Sequence, residues 1–229
     1  MSWVLDYWRS SIGGKVTMAV TGGLLFVFVL AHLAGNLLLF GGPQAIAEYA
    51  AFLHGKPAML WVGRLGLLAA LALHVATGLR LARANRAARP VPYAIDDTVQ
   101  ATFASRSMVF TGLTILVYLV YHLLHFTLGA VHGADFALRG QGHGGHDVYA
   151  MVTASFGHPA IAIVYAAAQI VLFLHLRHGI QSLAQTLGFH HGRWTPLIRT
   201  LGTVVAGAIA GGNALLALSV QLGLVGAAS

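Results

Sequence analysis

Long apolar stretches separated by short polar ones make up most of this chain. Five of them stand out, at 18–40, 58–82, 107–129, 159–183 and 197–222. The first, MAVTGGLLFVFVLAHLAGNLLLF, is 23 residues long (18–40), carries no charge and holds one imidazole, His32. At a rise of about 1.5 Å per residue such a helix crosses a hydrocarbon core of about 30 Å. The pattern predicts an all-α integral membrane protein: one membrane domain over residues 1–229, with four helices in a bundle and the fifth packed outside. Residues 1–17 are too polar for the core of a signal peptide, and Trp3, Tyr7 and Trp8 suit a membrane interface. Between the first two spans, Gly41-Gly42-Pro43 and a short helical stretch at 44–53 lead to Pro57, which opens the second span. Residues 83–102 form a basic connection with two prolines. Residues 130–157, rich in Gly and His, are expected to form the longest loop.

Composition narrows the class. The 229 residues are 57% hydrophobic and 8% charged, which leaves no room for a separate soluble enzyme domain. The net charge of +7 comes from Arg and Lys at helix ends rather than from a basic run among aromatics, so a nucleic-acid surface is excluded. The absence of Cys excludes disulfides, thiolate iron–sulfur clusters and C-x-x-C-H haem attachment. With the N-terminus inside, the inner ends hold Arg9, Lys15, Arg80, Arg83, Arg86, Arg89, Arg106, Arg177, Arg193 and Arg199. The outer ends hold only Lys56, Arg64 and Arg139. This bias predicts a multi-pass protein of the cell's inner (cytoplasmic) membrane with a cytoplasmic N-terminus.

Orientation gives the buried histidines depths. His32 and His122 lie past the centres of outward-running spans, hence in the outer half. His74 and His175 lie past the centres of inward-running spans, hence in the inner half. Four histidines thus sort into two pairs, His32 with His122 and His74 with His175, about eight helical residues or roughly 12 Å apart in depth. Two stacked haems, each held by imidazoles from two facing helices, need this layout. Gly78 and Gly179 each follow a deep histidine by four residues, on the same helix face, where a flat macrocycle needs a missing side chain. Gly22 and Gly112 each precede an outer histidine by ten. A shift of 90 residues superposes Met18, Thr21, Gly22 and His32 on Met108, Thr111, Gly112 and His122, which hints at a duplicated two-helix unit.

Rival chemistries fit less well. One metal ion needs its ligands about 2 Å from one point, which two depths forbid. All six acids (Asp6, Glu48, Asp96, Asp97, Asp135, Asp147) fall in predicted loops, so no carboxylate relay crosses the membrane. Both lysines lie at or outside span ends, against a retinal-type Schiff base.

The segments SSIGGK, LAHLAGN, AFLHGKP, LALHVATG, VYHLLHF and LHLRHGIQSLAQTLG together resemble the five-helix diheme cytochrome b anchor subunit of the succinate dehydrogenase/fumarate reductase (succinate:quinone oxidoreductase) family, over nearly the whole chain. The resemblance implies two haem b groups, with His32 and His122 ligating the outer iron and His74 and His175 the inner. It also implies a flavoprotein subunit and an iron–sulfur subunit on the cytoplasmic face, a menaquinone-type quinone, and room for a higher oligomer of the complex. At the outer start of the second span, where some relatives carry an acid, this chain has His54. Two other readings stay open. One is a cytochrome b subunit of a hydrogenase or formate dehydrogenase, the other a haem-free helical transporter.

The remaining polar residues each have two readings. His54 is either the quinone-side proton acceptor, since imidazole titrates near neutral pH, or a cap on the turn before Pro57. His125 either bonds an outer-haem propionate or satisfies polar groups near the interface. Arg177 and His178 either neutralise inner-haem propionates or meet lipid headgroups, with Arg80 a weaker version of the same. Asn36, one turn after His32, serves the outer haem or a helix contact. His132, His143 and His146 are expected in a solvated loop, and His190 and His191 at the interface.

Overall fold

A computed structural model of the chain describes residues 2–88, 102–138 and 147–226. Arg89, Asp96, Asp97, Arg139, His143 and His146, all singled out above, lie outside the described residues. Among those described, every regular element is helical. Helices α1 (Ser2–Arg9), α2 (Ser11–Asn36), α3 (Pro43–His54), α4 (Pro57–Ala87), α5 (Phe103–Arg106), α6 (Met108–Phe126), α7 (Gly133–Phe136), α8 (Val148–Gly157), α9 (Pro159–Thr186) and α10 (Thr195–Leu218) follow in order, with a 3-10 turn at Leu37–Gly41. Five of them, α2 with its 3-10 extension, α4, α6, α9 and α10, are long and apolar enough to cross a membrane.

The helix ends follow local chemistry. Ser10 caps α2 by accepting from the Gly13 amide, and Asp147 caps α8 by accepting from the Ala150 amide. Pro57 and Pro159 stand at first helical positions, where the missing N–H costs no intrahelical bond. Several spans outrun the apolar stretches that announced them, α2 and α4 the furthest. Helix α2 starts at Ser11 rather than 18 and α4 continues to Ala87 rather than 82. Polarity ends a membrane span, but Arg, Ala and Asn can continue a helix beyond it. The third is shorter than expected. Helix α6 stops at Phe126, and Gly129 turns the chain at φ +63°, with the Phe136 ring occupying the place a Cβ would take.

Spans α2 and α4 run antiparallel, as do α6 and α9, and α2 also packs on α9. Helix α10 lies along α9 and touches α2. Its small residues allow the close approach: a Cβ at Gly202 would stand 3.1 Å from Ile180 Cγ2, and one at Gly212 3.1 Å from Leu33 Cδ2. The described basic residues Arg9, Lys15, Arg80, Arg83, Arg86, Arg106, Arg177, Arg193 and Arg199 therefore gather at one end of the molecule. Helices α3 and α8 pack together at the other end.

The largest departure from expectation is α8. Residues 130–157 are not simply a loop: VYAMVTASFG forms a helix with Tyr149, Met151, Thr153, Ser155 and Phe156 buried. Ten apolar residues span only about 15 Å, too short to cross a membrane, so nothing in their pattern announced a buried helix. Tertiary contacts decide it. Tyr149 joins Leu33, Leu39, Ile46, Leu176 and Ile209 in one apolar cluster, and its hydroxyl donates to the Gly226 carbonyl at 2.8 Å. Gln221 Nε2 donates to the Phe156 carbonyl at 2.7 Å, so the segment after α10 ties α8 down from the other side.

Candidate functional site

Two short motifs on α2 and α6 seat histidines from the helices packed against them. On α2, the Thr21 hydroxyl donates to the Thr17 carbonyl at 2.7 Å, and its oxygen lies 3.2 Å from His74 Nδ1. On α6, the Thr111 hydroxyl donates to the Met108 carbonyl at 3.1 Å, and its oxygen lies 3.2 Å from His175 Nδ1. Each hydroxyl has one proton and has already given it to its own helix, so the imidazole must donate its Nδ1–H. That tautomer leaves Nε2 as a lone-pair donor, and among the described residues no hydrogen bond engages Nε2 of either ring. Both threonines are buried, Thr21 to 5% and Thr111 to 2% exposure, so the acceptor oxygens are held out of water.

The residue after each threonine makes room for the ring. A Cβ on Gly22 would lie 3.1 Å from His74 Cε1, and one on Gly112 3.2 Å from His175 Cε1. The 90-residue repeat is therefore physical: Thr21-Gly22 does for His74 on α4 what Thr111-Gly112 does for His175 on α9. This is a different use of the two glycines from the one their spacing implied. Their ten-residue distance to His32 and His122 says nothing about which ring they touch. Of the glycines that follow the deep histidines, Gly78 lies against the Met18 thioether and Gly179 faces open space.

The structure pairs the four histidines as their depths require. The His74 and His175 rings are 6.3 Å apart between centroids with planes at 67°, and those of His32 and His122 are 5.9 Å apart at 88°. Along α2, His32 lies eleven residues beyond Thr21, about 16 Å. Two imidazoles on opposite sides of one metal, each at about 2.0 Å, have centroids roughly 6 Å apart. Both pairs match that spacing. Among the described residues no three His, Cys, Asp or Glu side chains gather into a site for a bare ion. Two ligands per site suit a metal whose other positions are filled by a macrocycle, so the residues fit haem better than an ion. His122 adds an orphan: its Nδ1 is buried without a hydrogen-bond partner. Around it stand the rings of Tyr118, Phe126 and Tyr165, while His32 stacks on Phe28 at 5.4 Å and lies open on the polypeptide surface.

The other singled-out residues fall in three groups. His125 is 1% exposed and fully bonded, Nδ1 to the Tyr165 hydroxyl at 2.9 Å and Nε2 to Ser155 Oγ at 3.0 Å. It therefore has no ring nitrogen left for a propionate. His54 is exposed and bonds its own helix through Nδ1 to the Ala50 carbonyl at 2.8 Å, and no contact joins it to His32 or His122. Asn36, Arg177 and His178 are half-buried and make no side-chain hydrogen bond among the described residues. His190 and His191 are exposed, as expected of an interfacial turn.

Arg80 matters more than its place near a span end indicated. Its Nη1 donates to the Arg9 carbonyl at 2.9 Å and its guanidinium lies 4.7 Å over the Trp8 ring, while Nε and Nη2 are buried with no partner among the described residues. Gly14 leaves space for Nη2, and Trp8 Nε1 donates to the buried Thr77 hydroxyl at 3.3 Å, so α1 is pinned over this corner. Two buried donors without an acceptor, on the helix that carries His74, form a receptor for a carboxylate. The sequence signal was Gly14 facing an arginine on another helix, visible only once α2 and α4 are docked.

The threonines that accept from the imidazoles make a prediction about potential. Thr111→Val removes the acceptor of the His175 Nδ1–H bond, which makes the imidazole a weaker donor to an oxidised metal. The reduction potential of a metal at this pair is expected to rise, by about 59 mV for each tenfold loss of preference for the oxidised state. A potentiometric titration in which Thr111→Val and Thr111→Ser have the same potential goes against this role, because Ser keeps the oxygen.

Compared with known proteins, the chain matches no family, no curated sequence and no solved structure.

Proposed function

We propose that this chain is the diheme cytochrome b membrane anchor of a succinate:quinone oxidoreductase. In this reading it sits in a cytoplasmic membrane with its basic end inward and carries electrons between a docked iron–sulfur subunit and a menaquinone-type quinone. The observation that supports it best is the pairing of His74 with His175 and of His32 with His122 at metal-sharing distance, the first pair with both Nδ1 atoms bonded to buried threonines. When bound, haem would supply the one-electron chemistry.

The chain's own residues do the rest. His74 and His175 present Nε2 at the inner level, and Thr21 and Thr111 hold those rings in one tautomer. His32 and His122 provide the outer pair. Arg80 offers two unengaged donors that would suit a carboxylate substituent of the inner group. The apolar spans exclude water, and Arg9, Arg83, Arg86, Arg106, Arg177 and Arg193 give the inner end the positive charge that favours an acidic partner surface. The pairing alone does not distinguish this complex from another oxidoreductase with a diheme anchor; the sequence resemblance, with its cytoplasmic flavoprotein and iron–sulfur subunits, directs the choice.

Haem content tests the reading. The purified chain is expected to contain two haems per polypeptide by pyridine haemochrome, all extractable with acidified acetone because no cysteine can attach them. A ratio near zero or one counts against it. Identifying the subunits that co-purify with the chain separates a succinate:quinone oxidoreductase from a hydrogenase or formate dehydrogenase.

A further inference from the structure

Beside the outer pair, four helices contribute one side chain each to a continuous hydrogen-bonded chain. Tyr165 of α9 bonds His125 Nδ1 of α6 at 2.9 Å. His125 Nε2 bonds Ser155 Oγ of α8 at 3.0 Å, and Ser155 Oγ donates to Asp135 Oδ2 of α7 at 3.0 Å. The last bond fixes the direction of all the others. With its proton on Asp135, Ser155 accepts from His125 Nε2–H, so Nδ1 carries the lone pair and accepts the Tyr165 hydroxyl proton. Every donor points the same way, from Tyr165 toward Asp135.

Three members of the chain are buried and the last reaches the surface. Tyr165 is 4% exposed, His125 1% and Ser155 0%, while Asp135 is half-exposed on the short helix at the surface. The inner terminus lies against the outer pair, with the Tyr165 ring 5.9 Å from that of His122. His132, exposed and bonded to the Tyr121 hydroxyl at 3.1 Å, has its ring 4.8 Å from His125, and the Tyr121 ring is 5.7 Å away. The groups facing His125 are thus Tyr121, His132, Tyr165 and, through Ser155, Asp135.

We propose that Tyr165, His125, Ser155 and Asp135 form a proton path from the outer histidine pair to the surface at α7, and that it carries away the protons of a quinol oxidised beside that pair. This rests on the proposed quinone-linked function, and places the quinone's reaction beside the outer pair. One proton enters and one leaves. A proton reaching the Tyr165 oxygen lets the hydroxyl pass its own to His125 Nδ1; Nε2–H then passes to Ser155 and the Ser155 proton to Asp135, which releases it to water. No member changes its net charge once Asp135 has let go, and hydroxyl rotation with imidazole tautomerisation resets the chain. A purely structural role, satisfying a buried imidazole, needs the hydrogen bonds but not an acceptor that can be protonated.

Asp135→Asn separates the two, because an amide oxygen still accepts from Ser155 but does not take up a proton. In the full haem-loaded chain, haem reduction by a soluble naphthoquinol is followed by stopped-flow absorbance, with a pH indicator reporting proton release. Asp135→Asn and Ser155→Ala are expected to slow both signals roughly tenfold or more, with two haems bound and dithionite reduction unchanged, and Asp135→Glu is expected to restore the rate. If Asp135→Asn stays within twofold of the parent while both haems remain, the path is overturned and the diheme reading stands. If the parent chain binds no haem, or its haems are not reduced by quinol, both the quinone reading and the path fall.

Discussion

Replacing any one of four histidines is expected to cost one haem of two. His74→Ala and His175→Ala should each remove the inner haem and keep the outer, while His32→Ala and His122→Ala should do the reverse. Pyridine haemochrome then falls from two to one per polypeptide, and difference spectra identify the survivor. The selectivity follows from geometry. Among the four histidines each ring pairs with one other, at 5.9 or 6.3 Å, and His32 lies about 16 Å along α2 from the threonine that seats His74. His178→Ala and His125→Ala should keep both haems. Loss of His125 leaves the Tyr165 and Ser155 hydroxyls short of a partner, a local cost of about 1–3 kcal/mol that does not touch the iron ligands. A haem lost in His125→Ala and retained in His122→Ala reverses the assignment within the H-x-x-H motif.

The second large effect needs no change to a ligand. Gly22→Leu and Gly112→Leu are expected to empty the inner site while the outer site stays loaded. A Cβ alone at these positions comes within 3.1 and 3.2 Å of the ring's Cε1, and the rest of a leucine has no space unless the imidazole leaves. Overpacking of this kind costs about 1–3 kcal/mol, and the cheapest relief is rotation of the ring away from its threonine, which breaks the Nδ1 bond. Both variants should therefore resemble His74→Ala in haem stoichiometry although both histidines are still present. Gly211→Leu, exposed on α10 with open space before its missing Cβ, is the comparison, and it is expected to keep both haems. Equal loss of both haems in Gly112→Leu points instead to general unfolding.

Part of this organisation was legible because membranes make local rules strong. A hydrocarbon core admits only helices with internally satisfied backbones, so five long apolar stretches announced five helices without knowledge of their neighbours. Each helix also fixes the depth of its residues at a known rise per residue. The pairing of His32 with His122 and of His74 with His175 could therefore be read along the chain before the rings were seen 5.9 and 6.3 Å apart.

Rotation about each helix axis, and whatever lies between spans, were decided only by tertiary structure. The 90-residue repeat identified Thr21-Gly22 and Thr111-Gly112 as equivalent, but not that each pair seats a histidine of the next span, because facing depends on how two cylinders dock. For the same reason Arg80 read as a residue near a span end until α1 closed over it, and its two orphan donors became visible. His54 stood out by its position before Pro57, yet α3 leaves it on the surface. The residues 130–157 carried no periodic signal strong enough to name α8, and no local rule joins Asp135, Ser155, Tyr165 and His125 across four helices. Depth is a property of one chain segment in a membrane and is written in sequence; direction is a property of packing, and emerges only when the helices meet.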